Sequence, residues 1–197
     1  WKVIANGALP AIIAVAYFLD PVPALFAAYA GVLATATADT WATELGVLSG
    51  SAWLLTSFRK AKAGISGAVS LQGFAAAALG AFFIALSAIL LNFFNNSIDF
   101  SLLKPVFFDQ FVGGRKFLVF ITTAGFFGAL ADSFFGATIQ AIYCCPKDKR
   151  ETERAVHKCG TKTRLVRGFV QIDNEVVNFF STFIGGLLAF VLTQVFV

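Results

Sequence analysis

Five carboxylates stand inside or at the ends of long apolar runs: Asp39 and Glu44 in one run, Asp132 in another, Asp173 and Glu175 at the start of a third. An ionised side chain within a bilayer is costly, so acids in such runs face a cavity, a partner or an ion. Hydroxyls and amides accompany them at Thr35, Thr43, Ser133, Gln140, Asn174 and Asn178. These are hard oxygen donors of the kind Mg²⁺ takes, one or two carboxylates with the rest of its sphere filled by water and phosphate. Asp39 and Glu44 are five residues apart in sequence, about 140° around a regular helix, so a rigid helix is not expected to aim both at one ion. Simpler roles stand beside the metal reading: a hydrogen-bonded packing contact for Asp132, an interfacial position for Glu44, and a helix cap for Asp173.

Anion-binding chemistry is available nearby. Gly64-Ile65-Ser66-Gly67-Ala68-Val69-Ser70 is rich in Gly and Ser and runs into an apolar segment. Its amides and the following helix N-terminus suit phosphate, with Gly64, Ser66, Gly67 and Ser70 as the candidate residues. It lacks the Gly-Lys-Ser/Thr ending of a nucleotide-binding P-loop. Lys162, Arg164 and Arg167 add positive charge, which serves phosphate or, equally, membrane topology and anionic lipid. Cys145 and Asp148 have the spacing of a Cys-x-x-Cys knuckle with its second Cys replaced, and His157-Lys158-Cys159 completes a four-ligand set for zinc. Reduced thiols in a vestigial knuckle are the alternative. His157 is the sole His, so no Ser-His-Asp triad can form away from this stretch.

The elements that must position these groups are membrane helices. Of 197 residues, 58% are hydrophobic and 13% charged, against about 45–50% and about 25% in soluble domains. Mean hydropathy is +0.79, which excludes a disordered chain. Three Cys are too few and too clustered for a disulfide framework. Apolar windows predict an all-α, polytopic transmembrane bundle of about five spans, roughly 3–19, 22–45, 70–95, 116–142 and 172–197, forming a single membrane-embedded domain over residues 1–197. The Asp20-Pro21-Val22-Pro23 turn makes a hairpin of the first two. Loops at about 46–69 and 143–171 hold 11 of the 15 Lys and Arg, which predicts that both are cytoplasmic. All five acids then lie at or near that face. Gly125, Gly128, Ala129, Asp132, Ser133, Gly136, Ala137 and Gln140 form one small-residue stripe, and Gly31, Thr35, Ala38, Asp39, Thr43 and Gly46 repeat the design. The chain begins at Trp1 and has no Met, so an N-terminal truncation is expected.

Four ordered motifs, Ala38 to Gly46, Gly64 to Gly73, Gly128 to Gln140 and Ile172 to Asn178, with Ala5-Asn6-Gly7 near the start, resemble the integral-membrane family that includes the plant phytyl-phosphate kinase and the animal transmembrane protein nineteen, long catalogued as a domain of unknown function. The resemblance covers nearly the whole chain. It implies a polytopic protein whose plant members phosphorylate a prenyl monophosphate to the diphosphate with a nucleoside triphosphate. Asp39 and Glu44 match the family's first acidic motif, Asp132 and Ser133 its second, and Asp173, Asn174 and Asn178 its third. Glu175 stands where the family has Asp, and the Cys-x-x-Cys of some prokaryotic members is incomplete here. The family normally has at least one more span before Asn6.

The expected function is therefore a membrane-bound prenyl-phosphate kinase with its site on the cytoplasmic face. Asp39, Glu44, Asp132 and Asp173 are the expected catalytic acids, and Asp39, Asp132 and Asp173 the Mg²⁺ ligands. Gly64, Ser66, Gly67, Ser70, Ser133, Lys162, Arg164, Asn174 and Asn178 are the expected nucleotide and phosphate contacts. The partners expected are membrane lipid, a prenyl phosphate and CTP or another nucleoside triphosphate; no nucleic acid is expected. The alternatives are a prenol kinase, a CTP-dependent lipid-phosphate cytidylyltransferase, an ion-coupled transporter and an assembly scaffold.

Overall fold

A computed structural model describes residues 2–61, 64–97, 114–149 and 151–197, with side chains described from Gly7 and, in the third helix, as far as Leu91. Lys62, Arg150 and the polar stretch within 98–113 lie outside the described residues. Among the described residues there are five helices: α1 (Lys2–Leu19), α2 (Pro23–Gly46), α3 (Leu71–Ser97), α4 (Gly114–Thr138) and α5 (Asn174–Phe196). Three of them, α3 (over Leu71–Leu91), α4 and α5, are long and apolar enough to cross a membrane. At 24 residues α2 is also long enough, about 36 Å at 1.5 Å per residue. It is the central helix, packed against each of the other four.

Small residues make that central position feasible. Ala27, Ala30, Ala34 and Ala38 of α2 join Ala77, Ala81 and Ala85 of α3, Phe117, Ile121 and Ala124 of α4, and Ala189 of α5 in one buried core. Backbones approach closely at the glycines. A methyl group on Gly125 would lie 2.6 Å from the Ala34 Cβ and 2.9 Å from the Ala81 Cβ, and one on Gly31 would lie 2.7 Å from the Ala189 Cβ. The stripe on α4 is thus a packing seam, with Gly125, Gly128, Ala129, Asp132, Gly136 and Ala137 all buried. Gly125→Ala is expected to destabilise the bundle by about 1–3 kcal/mol through overpacking, measured as a lowered unfolding midpoint in detergent. Large side chains such as Leu79, Phe83, Leu91, Val119, Phe127, Phe183 and Leu187 are exposed around the bundle, as a lipid-facing surface requires.

The two loops expected between helices are not structureless. Each contains a small antiparallel sheet. The first is β1 (Ala52–Leu54), flanked by β2 (Lys60–Ala61) and β3 (Ala68–Val69) in the order β2-β1-β3. The second is β4 (Ile142–Cys144), flanked by β5 (Glu151–Thr152) and β6 (Arg164–Arg167) in the order β5-β4-β6. Both sheets lie at one end of the bundle, tied together by Arg167, whose Nη1 donates to the Ala137 carbonyl at 2.9 Å and whose Nη2 donates to the Ser66 carbonyl at 3.1 Å. The shared side expected for the two loops is therefore observed. Helix α4 stops at Thr138, earlier than the apolar window suggested, so Gln140 sits in the turn leaving it.

Candidate phosphate and metal cleft

At the sheet-bearing end the helices part around a cleft of about 380 Å³. The C-terminal turns of α2 form much of it through Asp39, Thr40, Ala42, Thr43, Glu44, Gly46 and Val47. At 100° per residue these positions cover about 200° of the helix circumference. Asp39 and Glu44 therefore reach the same cleft from an unbroken helix, because the cleft wraps the end of α2. The expectation that one rigid helix does not aim both at one ion concerns a single ion, and two side chains about 140° apart around α2 that line one wide cleft leave it as it was.

The Gly64 to Ser70 segment lines the cleft throughout. Gly67 holds φ +80°, and any side chain there would collide with the backbone of Ala137, so both conformation and space demand Gly. Ser70 accepts a hydrogen bond from the Gly73 amide at 3.0 Å, capping α3, and donates to the Gly46 carbonyl at 3.3 Å. Its hydroxyl is thus engaged in joining the end of α2 to the start of α3. Ser66 Oγ donates to Gln140 Oε1 at 3.0 Å, and Gln140 Nε2 donates to Glu153 Oε1 at 3.0 Å. Gln140 is 1% exposed, so this relay fixes the Gly-rich loop, the end of α4 and the second sheet in one arrangement.

Helix α4 contributes Ala129, Leu130, Asp132 and Ser133 to the lining. Asp132 is 9% exposed, and its Oδ2 accepts a 2.9 Å hydrogen bond from Ser181 of α5. Glu153, just after β5, is the residue that sequence reasoning missed. It lines the cleft and interacts electrostatically with both Asp39 and Asp132, which also interact with each other. Its one sequence signal is an acid amid eight basic residues of that loop. Among the described residues no Lys or Arg lines the cleft, and none pairs with Asp39, Asp132 or Glu153.

The expected residues divide clearly. Asp39, Glu44, Gly64, Ser66, Gly67, Ser70, Asp132, Ser133 and Asn174 line the cleft. Asp173, Asn178, Lys162 and Arg164 are not among its lining residues. Asp173 is the N-cap of α5, its Oδ1 accepting from the amides of Glu175 and Val176 at 3.0 Å each. The Asn178 carbonyl accepts from Ser181 and Thr182 within α5. Lys162 and Arg164 are exposed on the second sheet and its hairpin.

The family model described as Integral membrane protein DUF92 matches residues 1–186. The chain belongs to that family. It is 32% identical over 171 residues to Protein PGR of Arabidopsis thaliana, covering 85% of this chain and 54% of that protein. It is 29% identical over 188 residues to an uncharacterized membrane protein of Methanocaldococcus jannaschii, covering 95% of this chain and 59% of that protein. The chain thus spans between half and three-fifths of these relatives' lengths. No solved structure matches it. Family membership accords with the integral-membrane architecture and with the resemblance carried by the four motifs.

Proposed function

We propose that the DUF92-family cleft performs phosphoryl transfer at the cytoplasmic membrane face, from a nucleoside triphosphate to a prenyl, phytyl-like monophosphate. The observation that carries this reading is the meeting of Asp39, Asp132 and Glu153, from three separate elements, in one cleft lined by no described cation. Like charges held together in a partly buried site are costly until a proton or a cation neutralises them, and the reading here is a cation. The donors fit Mg²⁺: they are carboxylate and hydroxyl oxygens, and Asp39 accepts no hydrogen bond from the described residues. Asp39, Asp132 and Glu153 would hold it, with Glu44 beside them. In this reading Asp173, as a helix cap, is replaced in the ligand set by Glu153. When bound, the ion supplies charge neutralisation that lets phosphate groups enter an otherwise anionic cleft.

The chain's own residues do the positioning. Gly64 to Ser70 presents a Gly- and Ser-rich wall to the phosphates, and Ser133 and Asn174 add a hydroxyl and an amide. Ala77, Phe74, Ala129 and Leu130 make its apolar part, suited to the start of a prenyl tail. The volume matches the smaller small-molecule sites and accommodates the reacting phosphates. An oxygen of the acceptor monophosphate forms the new bond to the terminal phosphorus as the bond to the nucleoside diphosphate breaks. The acceptor oxygen is already anionic, so no strong general base is needed, and positioning with charge stabilisation supplies the rate. The cytoplasmic orientation rests on the 11 of 15 basic residues in the two sheet-bearing loops.

The test is an assay of the purified full-length protein with Mg²⁺, labelled CTP, ATP, GTP and UTP, and phytyl, farnesyl and geranylgeranyl monophosphates. Labelled prenyl diphosphate supports the reading. Transfer of a nucleotidyl group, phosphorylation of prenols alone, or nucleotide-independent flux in proteoliposomes overturns it. Because Lys162 and Arg164 stand outside the cleft, Lys162→Ala and Arg164→Ala are each expected to change kcat/KM by no more than about fivefold, the size of a surface charge contribution.

A further inference from the structure

The second sheet carries a side-chain cluster apart from the cleft. Cys145 and Asp148 lie in the turn after β4, and His157 and Cys159 lie in the next hairpin, closed by the Val156–Lys162 bridge. One ligand atom from each of the four lies within 4.8 Å of all the others. The two sulfurs, Cys145 Sγ and Cys159 Sγ, are 3.7 Å apart. Two thiolates bound at about 2.3 Å to tetrahedral zinc would be about 3.8 Å apart. His157 Nδ1 is 3.3 Å from Asp148 Oδ2, against about 3.4 Å for a nitrogen and an oxygen on the same ion. His157 Nδ1 lies 3.1 Å from Cys159 Sγ. The first two spacings match tetrahedral edges, and the third is about 0.5 Å shorter than the roughly 3.6 Å of a nitrogen and a sulfur on one zinc ion, so binding would part His157 from Cys159 slightly.

We propose that Cys145, Asp148, His157 and Cys159 bind one zinc ion that staples the two hairpin turns of the second sheet. Two sulfurs and an imidazole select zinc over Mg²⁺, and four protein ligands close the coordination sphere, as in a structural site. The third cysteine stands apart, its Sγ directed at the Cys145 carbonyl, 3.8 Å away. The consequence reaches the cleft. Residues 151–156 run between the two stapled turns and include Glu153, so the ion would fix both ends of the segment that delivers this carboxylate. Cys145 is fully buried, which anchors one corner of the site in the folded sheet.

The test reads metal content and loop order, so it stands independently of phosphoryl transfer. The full-length protein, purified without chelator, should contain one equivalent of zinc. Exchange for Co²⁺ should give the visible bands of a tetrahedral ion with thiolate charge-transfer absorption. Cys159→Ser changes an exposed residue, so the fold should persist while the thiolate band weakens, and Cys145→Ser with Cys159→Ser should abolish metal binding. Removing the ion should expose Lys147, Lys149 and Arg154 to rapid tryptic cleavage in the membrane-reconstituted protein. Substoichiometric zinc with both thiols freely alkylated, a Cys145–Cys159 disulfide in the freshly purified protein, or undiminished metal in the double variant would each overturn the proposal.

Discussion

Asp132→Asn is expected to lower prenyl-phosphate phosphorylation by at least about 100-fold, the scale of losing one preorganised charge-stabilising group, while the protein unfolds at an equal or higher temperature. The amide is the same shape, and its oxygen can accept the 2.9 Å hydrogen bond that Ser181 gives the carboxylate. What disappears is the carboxylate of the one buried member of a cluster whose other members, Asp39 and Glu153, are half-buried and exposed respectively. A purely structural Asp132 would leave turnover little changed, because the amide keeps the Ser181 hydrogen bond. Opposed effects on rate and stability are common where a site keeps unfavourable charges for function. Turnover assays and thermal unfolding of the same purified sample decide between the two.

Glu153→Gln carries the second large effect, because this side chain reaches the cleft from a loop rather than from a helix. The amide keeps an oxygen to accept from Gln140 Nε2 at the position where Glu153 Oε1 now accepts at 3.0 Å. The loop should therefore stay in place while the charge is removed. A fall of about 10–100-fold in kcat/KM is expected, with a weaker apparent affinity for Mg²⁺. Gln140→Ala should reproduce part of this by freeing Glu153 to move, and excess Mg²⁺ should rescue it better than it rescues Glu153→Gln. An unchanged Mg²⁺ dependence in Glu153→Gln would remove Glu153 from the ligand set.

The helices were legible because apolar runs must be helical to satisfy their backbone in a bilayer. The α4 stripe was legible because spacing by three and four residues defines one helix face. Asp39, Asp132, Ser133 and the Gly64 to Ser70 segment, which line the cleft, stand out in the sequence because each is conspicuous against its apolar or small-residue background. Glu153 was not, since an acid in a highly charged loop gains meaning only from the Ser66–Gln140–Glu153 chain of hydrogen bonds. Asp173 presents two signals at once, a carboxylate near a span and an acid just before a helix, and the cap is the one it satisfies. Lys162 and Arg164 share a loop with Arg167, but their own exposed positions set them apart from the guanidinium that ties Ala137 to Ser66. The small sheets were hidden because strands of two to four residues are too short for alternation to show.

The most direct measurement is binding of Mn²⁺, as a paramagnetic substitute for Mg²⁺, followed by electron paramagnetic resonance in the full-length protein with and without a nucleoside triphosphate. The cleft should bind the ion, nucleotide should tighten that binding, and Asp39→Asn combined with Asp132→Asn should lose it in a protein that remains folded. Equal Mn²⁺ binding by the wild type and the double variant, or none by the wild type, would contradict the assignment of these carboxylates to a metal-phosphate site.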